Sequence, residues 1–190
     1  MLRPGLVIVI LWVAFWISWL AAASWSTKTE RRVEIKGQLA YRIVLIVGTL
    51  AFLPPAHGYY GPMRLWLVSR DQAWGCTAVL ALGLCFTWWA RVHLATLWSG
   101  WITRKANHRV VDTGPYGIVR HPIYTGLLVG VYATAAAKGT IPGLLGALII
   151  TFGVWMKARL EEGWLRKELE PGAYDDYRRK VPMLVPFGPR

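Results

Sequence analysis

HRVVDTGPYGIVRHPIYTG, residues 108–126, is the stretch on which the reading of this chain turns. It is polar, punctuated by Gly and Pro, and dense in side chains that bind or titrate. Yet it lies between two long apolar segments, in a chain that otherwise reads as membrane. A second charged stretch, Arg159-Leu160-Glu161-Glu162, closes the last apolar segment. The two read as halves of one site at a membrane surface.

Composition supports a membrane protein. The chain has 190 residues, suited to a single domain over 1–190, and is 55% hydrophobic with 12 Trp. A soluble domain of this size rarely carries such a load, and several transmembrane helices account for it. The net charge of +12 belongs with Lys and Arg accumulating in cytoplasmic loops, so no nucleic-acid partner is expected. Cys76 and Cys85 stand nine positions apart in one apolar segment and cannot reach each other along a helix. His57, His93, His108 and His121 are scattered, and no CxxC or His/Cys cluster signals a metal.

Hydropathy places five helices, at about residues 5–25, 39–56, 73–90, 122–137 and 142–156. The first is too long and too aromatic for a signal-peptide core and is expected to be retained. Pro54 and Pro55 end the second, and Arg42 near its start can snorkel to the headgroups. The loop 57–71, with two Tyr, is turn-rich. Trp88 and Trp89 fit an aromatic belt. Helices four and five form a tight hairpin around Lys138-Gly139-Thr140, with Gly126, Gly130, Gly143 and Gly146 offering small faces for close approach. The reading is therefore all-α and polytopic, with three helices in 1–92 and a site-bearing half, two helices among them, in 93–190.

Charge then orients the chain. The loop 26–38, the segment 91–120 and the tail after 156 share one side and hold 17 of the 22 Lys and Arg. Arg3, Arg64, Arg70 and Lys138 lie opposite. The positive-inside rule makes the first side cytoplasmic, with the N-terminus outside and the C-terminus inside. Both charged stretches then face the cytosol.

In Thr113-Gly114-Pro115-Tyr116-Gly117, Gly and Pro fix a turn, and Tyr116 offers a ring face and a hydroxyl. Arg120-His121-Pro122-Ile123-Tyr124 enters helix four, whose first turn presents unpaired N–H groups and a positive dipole end. His121 and Tyr124 share a helical face. Arg159, Glu162 and Arg166, at i, i+3 and i+7, are expected on one face of a helix. There Glu162 can accept from the amino group or ribose of a ligand and Arg159 can hold an anionic one. Taken alone, that spacing also fits an ion-pair ladder on a solvated helix. Tyr174 and Tyr177, followed by Arg178-Arg179-Lys180, read by default as an interfacial tail drawn to anionic lipid.

The segment LWSGWITRKANHRVVDTGPYGIVRHPIYTG, then RLEEGWL, then YDDYRRKVP, closely resembles the isoprenylcysteine carboxyl methyltransferase family, which also includes phospholipid methyltransferase-like membrane enzymes. The resemblance covers roughly residues 98–182. It implies S-adenosylmethionine as methyl donor, bound in a cytoplasmic pocket built by the C-terminal half. By motif, His108, Val110 and Val111 look like the strand lining the cofactor, with Arg109 at a variable position between them. Gly114 and Tyr116 resemble the adjacent turn and its aromatic contact. His121, Pro122, Ile123 and Tyr124 are similar to the RHPxY cofactor contacts. Glu162, with Glu161 as the alternative, resembles the acidic cofactor ligand, and Arg159 the arginine facing the substrate. A polar cofactor contact found near Trp101 in some members is absent.

The resemblance implies direct methyl transfer to a lipophilic acceptor entering from the bilayer, with an isoprenylcysteine-type carboxylate as the reference substrate. A phospholipid amine or another small hydrophobic acceptor is the alternative. Membrane sterol reductases, similar in their C-terminal half, bind NADPH instead, but they are usually longer with more helices. A non-enzymatic membrane protein retaining the motif is the third class.

Overall fold

The computed structural model describes residues 2–22, 29–32, 35–53, 62–95, 103–105, 110–169 and 172–189. Among them are six helices: α1 (Pro4–Ala21), α2 (Ile35–Phe52), α3 (Arg70–Leu94), α4 (Pro122–Lys138), α5 (Ile141–Glu168) and α6 (Ala173–Lys180). A 3-10 turn covers Gly114–Gly117. Two short strands, β1 (Thr29–Arg32) and β2 (Thr103–Lys105), pair antiparallel. The all-α reading thus stands, with this ladder as its one addition.

Helix α1 begins on Pro4, where the missing N–H costs nothing, and contains no charged residue. Only one stripe turns inward, with Ile8, Phe15 and Trp19 buried, while Val9, Val13 and Trp16 remain about half exposed. An apolar helix with an apolar exposed face is a helix solvated by lipid. Helices α1, α3 and α5 are long and apolar enough to cross a membrane, and Gly37–Phe52 is a shorter apolar helix. The protein is accordingly an integral membrane protein.

Start signals explain two of the helix boundaries. Ser69 caps α3 through a capping box: its Oγ accepts from Gln72 N–H at 3.2 Å and Gln72 Oε1 accepts from Ser69 N–H at 2.9 Å. Thr140 caps α5, accepting from Gly143 N–H at 3.3 Å. Gly139, in the left-handed region at φ 60°, ends α4. The turn after α4 is also paired with the α2–α3 loop, since Leu65 N–H donates to Gly139 O at 2.8 Å and Ile141 N–H to Met63 O at 2.9 Å. The β1–β2 ladder joins the α1–α2 loop to the α3–α4 connection. The two sets of loops therefore gather at opposite ends of the bundle.

Helix α4 is the central helix, with only Val129 among its large apolar side chains strongly exposed. The expected α4–α5 hairpin exists, but its glycines serve other interfaces. A Cβ on Gly83 of α3 would lie 2.7 Å from Gly126 O, and one on Gly130 would lie 2.9 Å from Leu80 Cδ1. Gly146 backs onto Phe52, and Gly48 onto Ile150. The close approaches are α3 on α4 and α2 on α5. Small residues matter here because helices in lipid gain most of their association from such contact.

Two other expectations change. Helix α5 runs on to Glu168 rather than ending near 156, because Lys, Arg, Leu and Glu continue a helix readily. Arg91, counted among loop charges, sits fully buried in the last turn of α3. Its guanidinium donates to Ala95 O at 2.7 Å and to Ala22 O at 2.9 Å, which satisfies a carbonyl at the end of α1.

A Cβ on Gly126 would lie 2.5 Å from Gly83 O and closer still to Thr87 Oγ1. Gly126→Ala should destabilise the protein by about 1–3 kcal/mol, read as a lowered midpoint of unfolding in detergent. Gly5→Ala, which meets no neighbour within 4 Å, is the matched control.

Candidate active site

The polar stretch enters α4 through Arg120 and His121, both almost fully buried. Proline at 122 prevents His121 from continuing the helix backward, so Arg120 and His121 run as non-helical backbone. Their N–H groups are taken by the C-terminal tail: Arg120 N–H donates to Pro182 O at 2.8 Å and His121 N–H to Met183 O at 3.1 Å. Thr125 Oγ1 donates to Leu184 O at 2.6 Å. The tail thereby pairs with the helix entrance through these bonds.

At the centre stands Glu162, 3% exposed on α5. Arg120 Nε donates to its Oε1 at 2.7 Å, and His121 Nε2 lies 3.2 Å from the same oxygen. Arg178 Nε approaches Oε2 at 3.4 Å. The rest of the Arg120 guanidinium is spent on carbonyls, donating to Arg178 O at 3.1 Å and to Val181 O. With Nε2 facing a carboxylate, the hydrogen-bond network assigns the His121 proton to that nitrogen. Two buried charges persist only when each is paired and hydrogen-bonded, and here both are.

Beside it lies a more open cluster. Tyr124 donates to Glu161 Oε2 at 2.7 Å, and its ring stacks on His121 at 5.3 Å between centroids, 9° from parallel. Glu161 is only partly buried, and its Oε1 accepts no hydrogen bond among the described residues. On the other flank, Thr113 Oγ1 lies 2.9 Å from His93 Nε2. Gly114 holds φ 56°, with the His93 ring 2.7 Å from where a Cβ would stand. Only glycine combines that backbone with that contact.

The structure therefore joins most of the sequence-predicted residues and separates others. His121 meets Glu162 and Tyr124 meets Glu161 directly, while Pro122 is buried beside them and Ile123 packs in the hydrophobic core. Tyr116 is buried; its hydroxyl lies 3.4 Å from Ala90 O, and its ring stacks on His93 at 6.3 Å. Val110 packs against Tyr174, Tyr177 and Val181, and Val111 against the α1–α3 core. Both lie in irregular backbone rather than in the strand the resemblance implied; the nearest strand is β2. His108 and Arg109 lie outside the described residues. Arg159 stands one turn before Glu162 on the same helix, but only Glu162 is covered. Arg159 is exposed, and its guanidinium lies 5.9 Å from the Trp155 ring. Arg166 reaches forward to Asp175 at 2.8 Å instead of forming a ladder along α5.

Tyr174 and Tyr177 overturn the expectation of an interfacial tail. Both are buried, and Tyr177 donates to Tyr116 O at 2.6 Å. Burial, above all, pushes the Tyr116, Tyr174 and Tyr177 phenols up, with nearby carboxylates as smaller causes, so these hydroxyls remain neutral donors. Their signal in the sequence was the spacing of Tyr174, Tyr177 and Val181 at i, i+3 and i+7, an inward face. Arg120, the first residue of RHPIY, carries no signal of its own in the sequence, yet its buried ion pair makes it central.

The profile of the phospholipid methyltransferase family matches residues 72–171, from the start of α3 to the end of α5. A nickel-cobalt-cadmium resistance protein of Alcaligenes xylosoxydans is 30% identical over 119 residues, 61% of this chain and 54% of its own length. Methanethiol S-methyltransferase 2 of Bradyrhizobium diazoefficiens is 45% identical over 71 residues, 37% of this chain and 26% of its own. Protein-S-isoprenylcysteine O-methyltransferase B of Arabidopsis thaliana is 25% identical over 159 residues, 77% of this chain and 74% of its own. The chain thus spans about half or less of the length of the first two relatives and three quarters of the third. With more than half of it matched by the profile, the chain belongs to the phospholipid methyltransferase family, and the resemblance read from its motifs holds.

Removing the Glu162 carboxylate would leave Arg120 buried without its counter-charge. Glu162→Ala should therefore cost about 3–5 kcal/mol of stability, measured as a lowered unfolding midpoint, whereas Glu161→Ala should change it by less than about 1 kcal/mol.

Proposed function

We propose that this member of the family is an integral membrane methyltransferase that uses S-adenosylmethionine to methylate a lipophilic acceptor, with an isoprenylcysteine-type carboxylate as its substrate class. The observation that carries the reading is the juxtaposition of the RHPIY entrance of α4 with the Glu161-Glu162 pair of α5, inside the matched region.

The residues present suit the methyl donor. Glu161 Oε1, free of hydrogen bonds among the described residues, can accept from an ammonium or a ribose hydroxyl. The His121–Tyr124 stack offers an aromatic face. The first turn of α4 has N–H groups without intrahelical partners, suited to a carboxylate. Glu162, faced by Arg120, His121 and Arg178, suits a holding role better than a binding one. His108, Arg109, Val110, Val111, Gly114 and Tyr116 complete the proposed cofactor wall, and Arg159 is proposed to face the acceptor. When bound, the donor supplies an activated methyl group on a sulfonium. The protein then has to align donor and acceptor and keep water out, which explains a site without an obvious general base.

Supporting a lipophilic acceptor, exposed Leu148, Phe152 and Trp155 lead along α5 to Arg159. The acceptor would enter from the bilayer and the donor from the cytosol. All five long helices are proposed to cross the membrane, with the N-terminus outside and the C-terminus and site cytoplasmic. The excess of Lys and Arg at the site end supports that orientation. The similarity to a methanethiol S-methyltransferase favours a small thiol acceptor as the second reading.

Calorimetry on the purified protein should show saturable binding of S-adenosylhomocysteine and none of NADPH. Binding of NADPH alone would make the protein a reductase. Glu161→Ala should weaken S-adenosylhomocysteine about 10- to 100-fold, and unchanged affinity would remove Glu161 from the site. A reporter fused to the C-terminus should read cytoplasmic; an opposite result would overturn the orientation.

A further inference from the structure

The end of α2 nearest the site carries a polar cluster that the family profile does not reach, since the match begins at residue 72. Gln38 is fully buried and Tyr41 is 4% exposed. Tyr41 donates to Gln38 Oε1 at 2.9 Å, and Arg42 Nη2 donates to the same oxygen at 3.4 Å. Opposite them stands Lys157 of α5, one turn before Glu161. Its ammonium lies 6.0 Å from the Tyr41 ring centroid and 5.1 Å from that of Tyr124. Tyr124 is the residue that donates to Glu161. Lys157 therefore stands between α2 and the site, held by two ring faces. It makes no ion pair or hydrogen bond with any described residue, although Glu161 is its i+4 neighbour on the same helix.

An ammonium set between two aromatic rings, partly buried and without an ion-pair partner among the described residues, is an arrangement that can receive an anion. The position decides which anion. The donor's proposed contacts are Glu161, His121 and the α4 entrance, whereas Lys157 also faces Tyr41 of α2. The α2 side is left for the acceptor.

We propose that Lys157, caged by Tyr41 and Tyr124 and backed by Arg42, is the specificity-determining residue that holds the acceptor's carboxylate. This rests on the methyltransferase reading given above. The chemistry fits a carboxylate in particular. On methylation an acceptor oxygen supplies the electron pair of the new C–O bond, the C–S bond breaks with its pair staying on the donor sulfur, which becomes a neutral thioether, and no proton moves. The anionic acceptor becomes a neutral ester, so the grip of Lys157 is lost as the product forms. A protonated amine would instead meet Lys157 and Arg42 as like charges and be disfavoured.

The test uses the full chain in detergent, with a labelled methyl donor and three acceptors: an N-acetylated S-farnesylcysteine, methanethiol and phosphatidylethanolamine. The carboxamide of the first serves as a neutral inhibitor. Lys157→Ala should raise KM for the prenylcysteine by about 10- to 100-fold, leave S-adenosylhomocysteine affinity unchanged and leave inhibition by the carboxamide unchanged. Lys157→Arg should restore most of the loss, which separates charge from packing. An unmoved KM in Lys157→Ala overturns the assignment while the methyltransferase reading stands. Parallel losses of donor affinity and KM overturn it too, by placing Lys157 in the cofactor site or the fold. A wild-type protein that methylates only methanethiol or the phospholipid, or none of the three, overturns the carboxylate reading and this inference with it.

Discussion

The Arg120–Glu162 pair is the constraint on which the rest of the site depends. Two charges shielded from water cost several kcal/mol each unless every polar atom finds a partner. Here the partners come from far along the chain: the carboxylate from α5, the guanidinium from the α4 entrance, and the carbonyls from residues 178 and 181. Satisfying one arginine thus fixes three segments relative to one another. The tail is then placed to accept the N–H groups of residues 120 and 121, which the proline at 122 keeps out of a regular helix. What looks like a local turn is held by long-range pairing.

That arrangement needs a stable support, and lipid provides little driving force for helices to associate. The protein compensates with close contact. Gly83, Gly126 and Gly130 let α3 and α4 approach backbone to backbone, and Gly48, Gly146 and Gly153 do the same for α2 and α5. Dispersion at that distance substitutes for hydrophobic burial. Polar ties supplement it: Trp12 donates to Thr134 at 3.0 Å, and Arg91 caps the end of α1. The α4 entrance and the α5 extension therefore emerge at a fixed spacing.

Much of this was legible in the sequence, and the parts that were not share a cause. The five long helices, the break at Pro122 and the meeting of RHPIY with the glutamate pair follow from hydropathy, proline chemistry and motif. Partners do not follow from periodicity. Spacing put Arg159, Glu162 and Arg166 on one stripe, but α6 and the tail cover only Glu162, leaving both arginines exposed. Gly126 and Gly130 announced a close approach without saying to which helix. Tyr174 and Tyr177 looked like a tail beside three basic residues, although their spacing with Val181 was that of an inward face. The β1–β2 ladder, made of Thr, Glu, Arg and Lys, carries no alternating apolar signal at all.

The division of labour between the two halves follows from the same geometry. Residues 72–171, matched by the family profile, supply the α4 entrance and the glutamate pair. Helix α2 lies outside that match, yet Tyr41 packs its ring near Lys157. On the reading proposed above, a site assembled in this way can keep its donor contacts while the helix facing the acceptor varies, because among the described residues no hydrogen bond of the Arg120–Glu162 network runs through α2. Relatives whose names point to thiol and prenylcysteine acceptors are what such an arrangement permits. On the same reading, charge and shape where α2 faces α5 decide the acceptor; sequence motifs are silent there, and Lys157 of α5, set between two tyrosine rings, has no ion-pair partner among the described residues.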